Sequence, residues 1–241
     1  MLARTCLVVL LASIGALAEE PAKGVAIDQG VTLFLEEKRV EVDARVCVRR
    51  GLLELFACAE GGKDHESAVV LFAKPQSLHL ALVLLGLKDK REMGGGGPQQ
   101  IGDPTAPKGD RVLVFLQWTD KEGKTHRHRA EELIKHQRTN TTMPLAGWTF
   151  SGSEFVEEMD PDTKKPTGRQ IYCANRERSV ITTFHDPTAI LDNPLSTGGD
   201  DSIYYSNEDI LPDSGTHAKL IVQVPTEEEL KQLDDAAKEP K

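Results

Sequence analysis

Two cysteines and a histidine, Cys47, Cys58 and His65, fall within 19 positions of one another. Thiolate and imidazole are ligands for a borderline metal such as zinc, and two thiols in an oxidising compartment can instead close a disulfide. Three readings of the cysteine pair stand side by side: a disulfide, two buried free thiols, or metal ligands. Their spacing matches no standard zinc module. Directly after Cys58, the segment Gly61-Gly62-Lys63-Asp64-His65-Glu66-Ser67 gathers a cation, an imidazole, carboxylates and a hydroxyl. Lys63, His65, Glu66 and Ser67 are the candidate binding residues. His65 can act as base or ligand, Glu66 as carboxylate and Lys63 as electrophile, and the two glycines permit close approach. The same residues also suit a plain turn whose side chains satisfy backbone groups.

Elsewhere the chemistry is thinner. His126 and His128 share one face of a strand and can ligate metal, or sit on a charged, solvated edge. Asp160, Asp162, Asp200 and Asp201 fit turns and caps better than the alternating ligands of a calcium loop. The serines lack the Gly-x-Ser-x-Gly elbow. The tetraglycine Gly94 to Gly97 is not followed by the Gly-Lys-Ser/Thr of a phosphate loop. No catalytic residue is assigned.

The elements that must position these groups read mainly as strands. Residues 39–48 alternate, with Val40, Val42, Ala44, Val46 and Val48 on one face, the period of a half-buried strand. Arg49-Arg50-Gly51 suits a turn, with Leu52 to Ala57 returning and Ala68 to Phe72 following. Residues 76–87 suit a helix opened by Pro75 and ended by Gly86. That helix is apolar all round and predicts burial on every side. Residues 88–110 predict a long loop. Further strands follow at 111–119, 124–129, 179–184, 202–206 and 218–224, with a turn at Asp160-Pro161-Asp162. Thr226 to Glu229 is a capping box opening a polar terminal helix. Hairpins without βαβ winding predict an α+β fold: one β-rich domain on antiparallel sheet, with a buried helix and a few short helices.

The first 18 residues pair Arg4 with an apolar run and Ala16-Leu17-Ala18, the pattern of a cleavable secretory signal. The expected organisation is a signal peptide at 1–18, a linker at 19–30, a domain at 30–224 and a polar helical tail at 225–241. No later run is long enough to cross a bilayer as a helix. Cleavage leaves three of the four cysteines in an extracytoplasmic chain, periplasmic or secreted. With 38 acidic against 29 basic residues and a net charge of −9, the chain lacks the clustered cations of a nucleic-acid binder.

The stretch from Cys47 to Lys88, with its paired cysteines, its ELFAC and GGKDHES segments and the helix LALVLLGLK, resembles the YdjY-like domain family of bacterial exported proteins. The resemblance continues through GWTFSGSEF at Gly147 to Phe155. It then runs through Asp186-Pro187-Thr188-Ala189, Asp192-Asn193-Pro194, Asp200-Asp201 and Pro212 to Thr216. It implies an exported domain without an agreed activity. A ferredoxin-type label attached to the family implies an iron–sulfur cluster. This chain departs from that pattern, because such clusters take four cysteines and three remain after cleavage. Two functions from different classes follow. One is a non-catalytic binding or accessory module for a protein or small molecule. The other is a metal-binding or redox protein using Cys47, Cys58 and His65.

Overall fold

The computed structural model describes residues 23–238. In chain order the elements are β1 (Val25–Asp28), β2 (Val31–Phe34), β3 (Arg39–Val46), β4 (Leu55–Ala59), β5 (Ser67–Leu71), α1 (Pro75–Leu84), β6 (Arg111–Thr119) and β7 (Thr125–Arg129). There follow β8 (Ile134–His136), β9 (Trp148–Phe150), β10 (Phe155–Met159), β11 (Pro166–Tyr172), α2 (Cys173–Glu177), β12 (Ser179–Thr182), β13 (Leu191–Asp192), β14 (Tyr204–Ser206), β15 (His217–Gln223) and α3 (Glu227–Ala236).

Eight strands close a ring in the order β3-β15-β6-β9-β13-β12-β4-β5, and β5 pairs back onto β3 through Ala44↔Leu71 and Val46↔Val69. β1 and β2 continue the sheet outward from β3, and β7 continues it from β6. The fold is therefore mostly β, a closed barrel that is 17% helical. This corrects the expected α+β sheet with a buried helix. Closure is a long-range contact that leaves no local periodicity. Ring strands β9, β12 and β13 have 3, 4 and 2 residues, too few for an alternating pattern to register.

The alternation read in β3 is real. Val40, Val42, Ala44 and Val46 are all buried, while the residues between them are half-exposed. They face Leu220 and Val222 of β15, Val114 and Leu116 of β6, and the fully buried Phe56, Trp148 and Phe150. The Phe56 and Trp148 rings lie 6.1 Å apart. An eight-stranded barrel is just wide enough for side chains to fill, and these residues fill it. Ligand chemistry therefore belongs on the outside.

α1 is also corrected. Pro75 opens it, and Leu78, Ala81 and Leu82 pack against the core, but Leu80, Val83 and Leu84 are exposed. A helix laid on the flank of a closed barrel has only one wall to pack against, however apolar its sequence. Burying Leu78 and Leu82 stabilises the fold by about 1.5–3 kcal/mol each. At the other end of the chain the predicted capping box is formed. The Glu229 N–H donates to Thr226 Oγ1, and the Thr226 N–H donates to Glu229 Oε2 at 2.8 Å. It starts α3, which seats the buried Leu233 beside Gly147.

Candidate functional site

The predicted site loop has an architectural task. Residues 60–66 join β4 to β5, which are adjacent and parallel with Leu55 opposite Ser67 and Ala59 opposite Leu71. Parallel neighbours ordinarily need a crossover of about a dozen residues or more. This short connection must double back along the length of β4 with little slack. Its polar groups hold it there. Arg178 donates to the Gly61 carbonyl, and Ser67 Oγ donates to the Lys63 carbonyl at 2.6 Å. Lys63 Nζ lies 2.6 Å from Glu54 and 3.4 Å from Glu66. Burial opposes the Lys63 charge, but the two carboxylates outweigh it and raise the ammonium above its ordinary value. Lys63 and Ser67 thus brace the loop. His65 has its side chain 73% exposed, with Asp64 and Glu66 each 3.8 Å away. His65 and Glu66 line a shallow cleft of about 720 Å³ together with Cys47, Arg50 and Leu52.

This division of labour has a measurable consequence. His65→Ala is expected to change stability by less than about 0.5 kcal/mol, as a surface substitution does. Ser67→Ala removes a buried hydroxyl from its carbonyl partner and should cost about 1–2 kcal/mol. Urea denaturation of the two variants checks the order, and equal losses would contradict it.

Cys47, Cys58 and Cys173 are free. The expected Cys47–Cys58 bridge is not formed, because β5 runs between its two ends. The Cys47 N–H donates to Ala68 on one side of β5, and Cys58 lies opposite Val70 on the other. Two strand spacings are roughly 9–10 Å, beyond the ~7 Å that a disulfide spans. The sequence suggested a hairpin in which Leu52 to Ala57 folds back on β3. In the structure β4 pairs instead with β12 and β5. Burial pushes the Cys58 thiol up to about 11 and raises Cys47 and Cys173 as well, so none is an activated thiolate. Among the described residues no three His, Cys, Asp or Glu side chains converge as a metal site, and Cys47, Cys58 and His65 do not form one. Protein produced from Glu19 onward should therefore show three thiols when alkylated without reductant in denaturant. In the native state half-exposed Cys47 should react well before buried Cys58 and Cys173. Intact-mass counting reads both results, and a single free thiol would overturn them.

A polar cluster that sequence reading missed lies at the base of α1. Tyr172 Oη is 2.8 Å from His79 Nδ1 and 3.2 Å from the Gly152 carbonyl, and Arg91 Nη2 is 3.3 Å from His79 Nε2. Guanidinium only donates and carbonyl only accepts, so the protons run one way. Arg91 donates to His79 Nε2, His79 Nδ1–H donates to Tyr172, and Tyr172 donates to Gly152. Burial, helped by the Arg91 charge, pushes His79 down to about 4, which keeps the ring neutral as this order requires. Burial raises the Tyr172 phenol. Burial also pushes Asp89 upward, but its bonds to Arg91 win and hold the carboxyl below its usual range. The cluster ties α1 to β11 and the 152 turn. Its one signal in the sequence is His79, a polar residue set inside the apolar run Leu78 to Leu84 of the helix. Nearby, Lys90 Nζ donates to Glu154 at 3.1 Å and to the Pro187 carbonyl at 3.3 Å. Asp192 is fully buried, and neither of its oxygens has a hydrogen-bond partner among the described residues.

The open surface lies elsewhere. Two clefts of about 570 and 630 Å³ adjoin at Gln29 and Phe72, which line both, and together make up the groove on the barrel flank. The first half crosses β3, β15 and β6 at Asp43, Lys219, His217 and Gln117. The second half passes the start of α1 at Asp28, Lys74 and Asn175. Asp43 pairs with Lys219 at 2.5 Å and Asp28 with Lys74 at 3.5 Å. The Phe72 and His217 rings stand 6.4 Å apart at 33°. The β1–β2 turn forms a wall. Gly30 sits there at φ +72°, so close to β5's exit that an added Cβ would lie 2.2 Å from the Phe72 carbonyl oxygen. The floor is bound together by Asp43 N–H to Gly30 O at 2.9 Å and Phe72 N–H to Asp43 O at 2.8 Å.

Fold and surface together define a closed, side-chain-filled β-barrel domain whose clefts lie outside the ring. The chain belongs to the YdjY domain family, whose model matches residues 31–223. Those limits run from the first residue of β2 to the last of β15, so the family domain holds the whole barrel and leaves β1 and α3 outside. No curated protein and no solved structure matches the chain.

Proposed function

We propose that this is an exported, non-catalytic binding module whose ligand lies in the flank groove astride Phe72. The observation that carries this reading is the set of unused hydrogen-bonding side chains along the groove. The side-chain amides of Gln29 and Gln117 and the Thr119 hydroxyl have no partner among the described residues, and they stand beside the half-buried Phe72 and the exposed His217. A largely apolar concavity with a few convergent polar groups is the usual form of a ligand site, and the half of the groove along β3, β15 and β6 has that form while the half at the start of α1 is more polar. Lys63 and Ser67 of the 60–66 loop and the polar groups of the His79 cluster are spent on internal partners, which favours the groove over both. Export is supported by the leader pattern of residues 1–18, which lie outside the described residues.

The test is chemical-shift mapping of the ¹⁵N-labelled protein with small organic probes, dioxane and acetamide. Shifts should gather at the amides of Gln29, Phe72, Gln117 and His217 and spare His65 and Glu66. Clustering at residues 61–67, or no clustering, would move the site or remove it.

A further inference from the structure

We infer that the ligand of the flank groove is a neutral oligosaccharide. This rests on the groove being the binding site and adds the chemistry of what it holds.

The charge of the groove is the first argument. Its carboxylates Asp28, Asp43 and Glu60 stand against the cations Lys74, Arg178 and Lys219, three of each sign, with His217 the further titratable group of the lining, on a chain whose net charge is −9. Two of the acids are already held by groove cations, and Arg178 donates to the Gly61 carbonyl. An anionic ligand finds no free cluster of cations here. A cationic ligand finds one unpaired carboxylate, Glu60, at one end. Balanced, internally paired charges select against both, because a charged ligand would have to give up its hydration for partners that are already engaged.

The second argument is the kind of contact on offer. Gln29, Gln117 and Thr119 provide both donors and acceptors, and Asp43, held by Lys219 through Oδ1, retains acceptor sites on Oδ2. Such groups match ring hydroxyls, which donate and accept from one atom. The exposed His217 and the solvent-facing part of the half-buried Phe72 supply ring surface for the C–H face of a pyranose, which is apolar while its rim is polar. The third argument concerns the main competitor, an extended peptide. A peptide gains most when its backbone pairs with a free strand edge. The floor strands β3, β15 and β6 are paired with each other residue by residue from Ala44↔Ala218↔Trp118 onward. Over this floor no backbone edge faces the ligand, so recognition there comes from side chains and favours a hydroxyl-rich molecule.

The experiment titrates the full exported chain with neutral hexasaccharides of α-linked glucose, β-linked glucose and β-linked N-acetylglucosamine. A hexauronate and a neutral unstructured peptide serve as comparisons, and ¹⁵N shifts and calorimetry are the readouts. At least one neutral glycan should bind saturably and shift Gln29, Phe72, Gln117 and His217, with the hexauronate inert. Gln117→Ala and His217→Ala, both on the barrel surface, should each weaken that binding about tenfold, the effect of one lost contact. Their circular dichroism should match the parent. Binding of the peptide at the same amides with no glycan bound would overturn the oligosaccharide and keep the groove. Glycan binding unaffected by either variant would place the sugar elsewhere and overturn the inference. If no glycan and no peptide binds while dioxane and acetamide still gather in the groove, the oligosaccharide falls alone. If those probes also fail to gather there, the groove falls with it.

Discussion

Gly30→Ala should destabilise the protein by about 2–4 kcal/mol and displace one wall of the groove. A left-handed backbone costs a residue with a Cβ about 1–2 kcal/mol, and Gly30 holds φ +72°. The remainder comes from contact. The new methyl would meet the Phe72 carbonyl oxygen at 2.2 Å, and that atom belongs to backbone whose N–H is already bonded to Asp43. Neither side can yield without breaking the pairing of the β1–β2 turn with β3. Gly123→Ala is the matched control. It has nearly the same φ, +82°, with nothing within 4 Å of its Cβ position, so it should lose only the conformational part. Urea midpoints of the two variants separate the terms. A Gly30→Ala loss no larger than that of Gly123→Ala would show that the turn is not pressed against Phe72. In the glycine variant that yields folded protein, the amides of Gln29 and Phe72 should shift together, because one contact positions both.

Local chemistry was legible in the sequence where a residue's partner lies close along the chain. The alternation of β3, the capping box at Thr226 and the turn at Asp160 each rest on neighbours within a few positions, and each is present. What was not legible is the return of one strand to another. β4 was read as the hairpin partner of β3 because it follows a good turn at Arg49-Arg50-Gly51. The structure places β5 between them, and that single exchange both closes the barrel and parts Cys47 from Cys58. The loop at Gly61 to Ser67 was noticed for its density of polar types. Much of that density answers the strain of a short parallel connection, a need that appears only once the strand order is known. The groove escaped notice for the same reason. Gln29, Phe72, Gln117 and His217 come from four separate segments, none of which carries a pattern of its own.

Replacing Asp192 by Asn should stabilise the protein, increasingly so as pH rises. Asp192 is fully buried, on a strand between Thr149 of β9 and Thr182 of β12. Burial is the chief cause that pushes its carboxyl well above the ordinary range, and the nearby Asp186 charge adds to it. The backbone N–H of Asn193, near the carboxyl but outside hydrogen-bond geometry, and then the Lys90 charge oppose the shift without cancelling it. The Lys90 ammonium gives its hydrogen bonds to Glu154 and to the Pro187 carbonyl, so it does not hold Asp192 as an ion pair. The sign then follows. Below the unfolded value, near pH 4, both states keep the proton and Asp192 costs nothing. As pH rises above that, the unfolded chain releases the proton while the folded chain retains it, and stability falls by about 1.4 kcal/mol per pH unit until the folded group ionises. Asn has no such linkage. Wild type and Asp192→Asn should therefore have similar stabilities at pH 4 and separate steadily toward neutral pH, with the variant the more stable. Lys90→Met should steepen the wild-type slope at its upper end, since it removes the one cation that favours the ionised form. Denaturation curves across that pH range decide the matter. Parallel profiles for wild type and Asp192→Asn would mean that the carboxylate is ionised in the fold and that Lys90 turns to meet it.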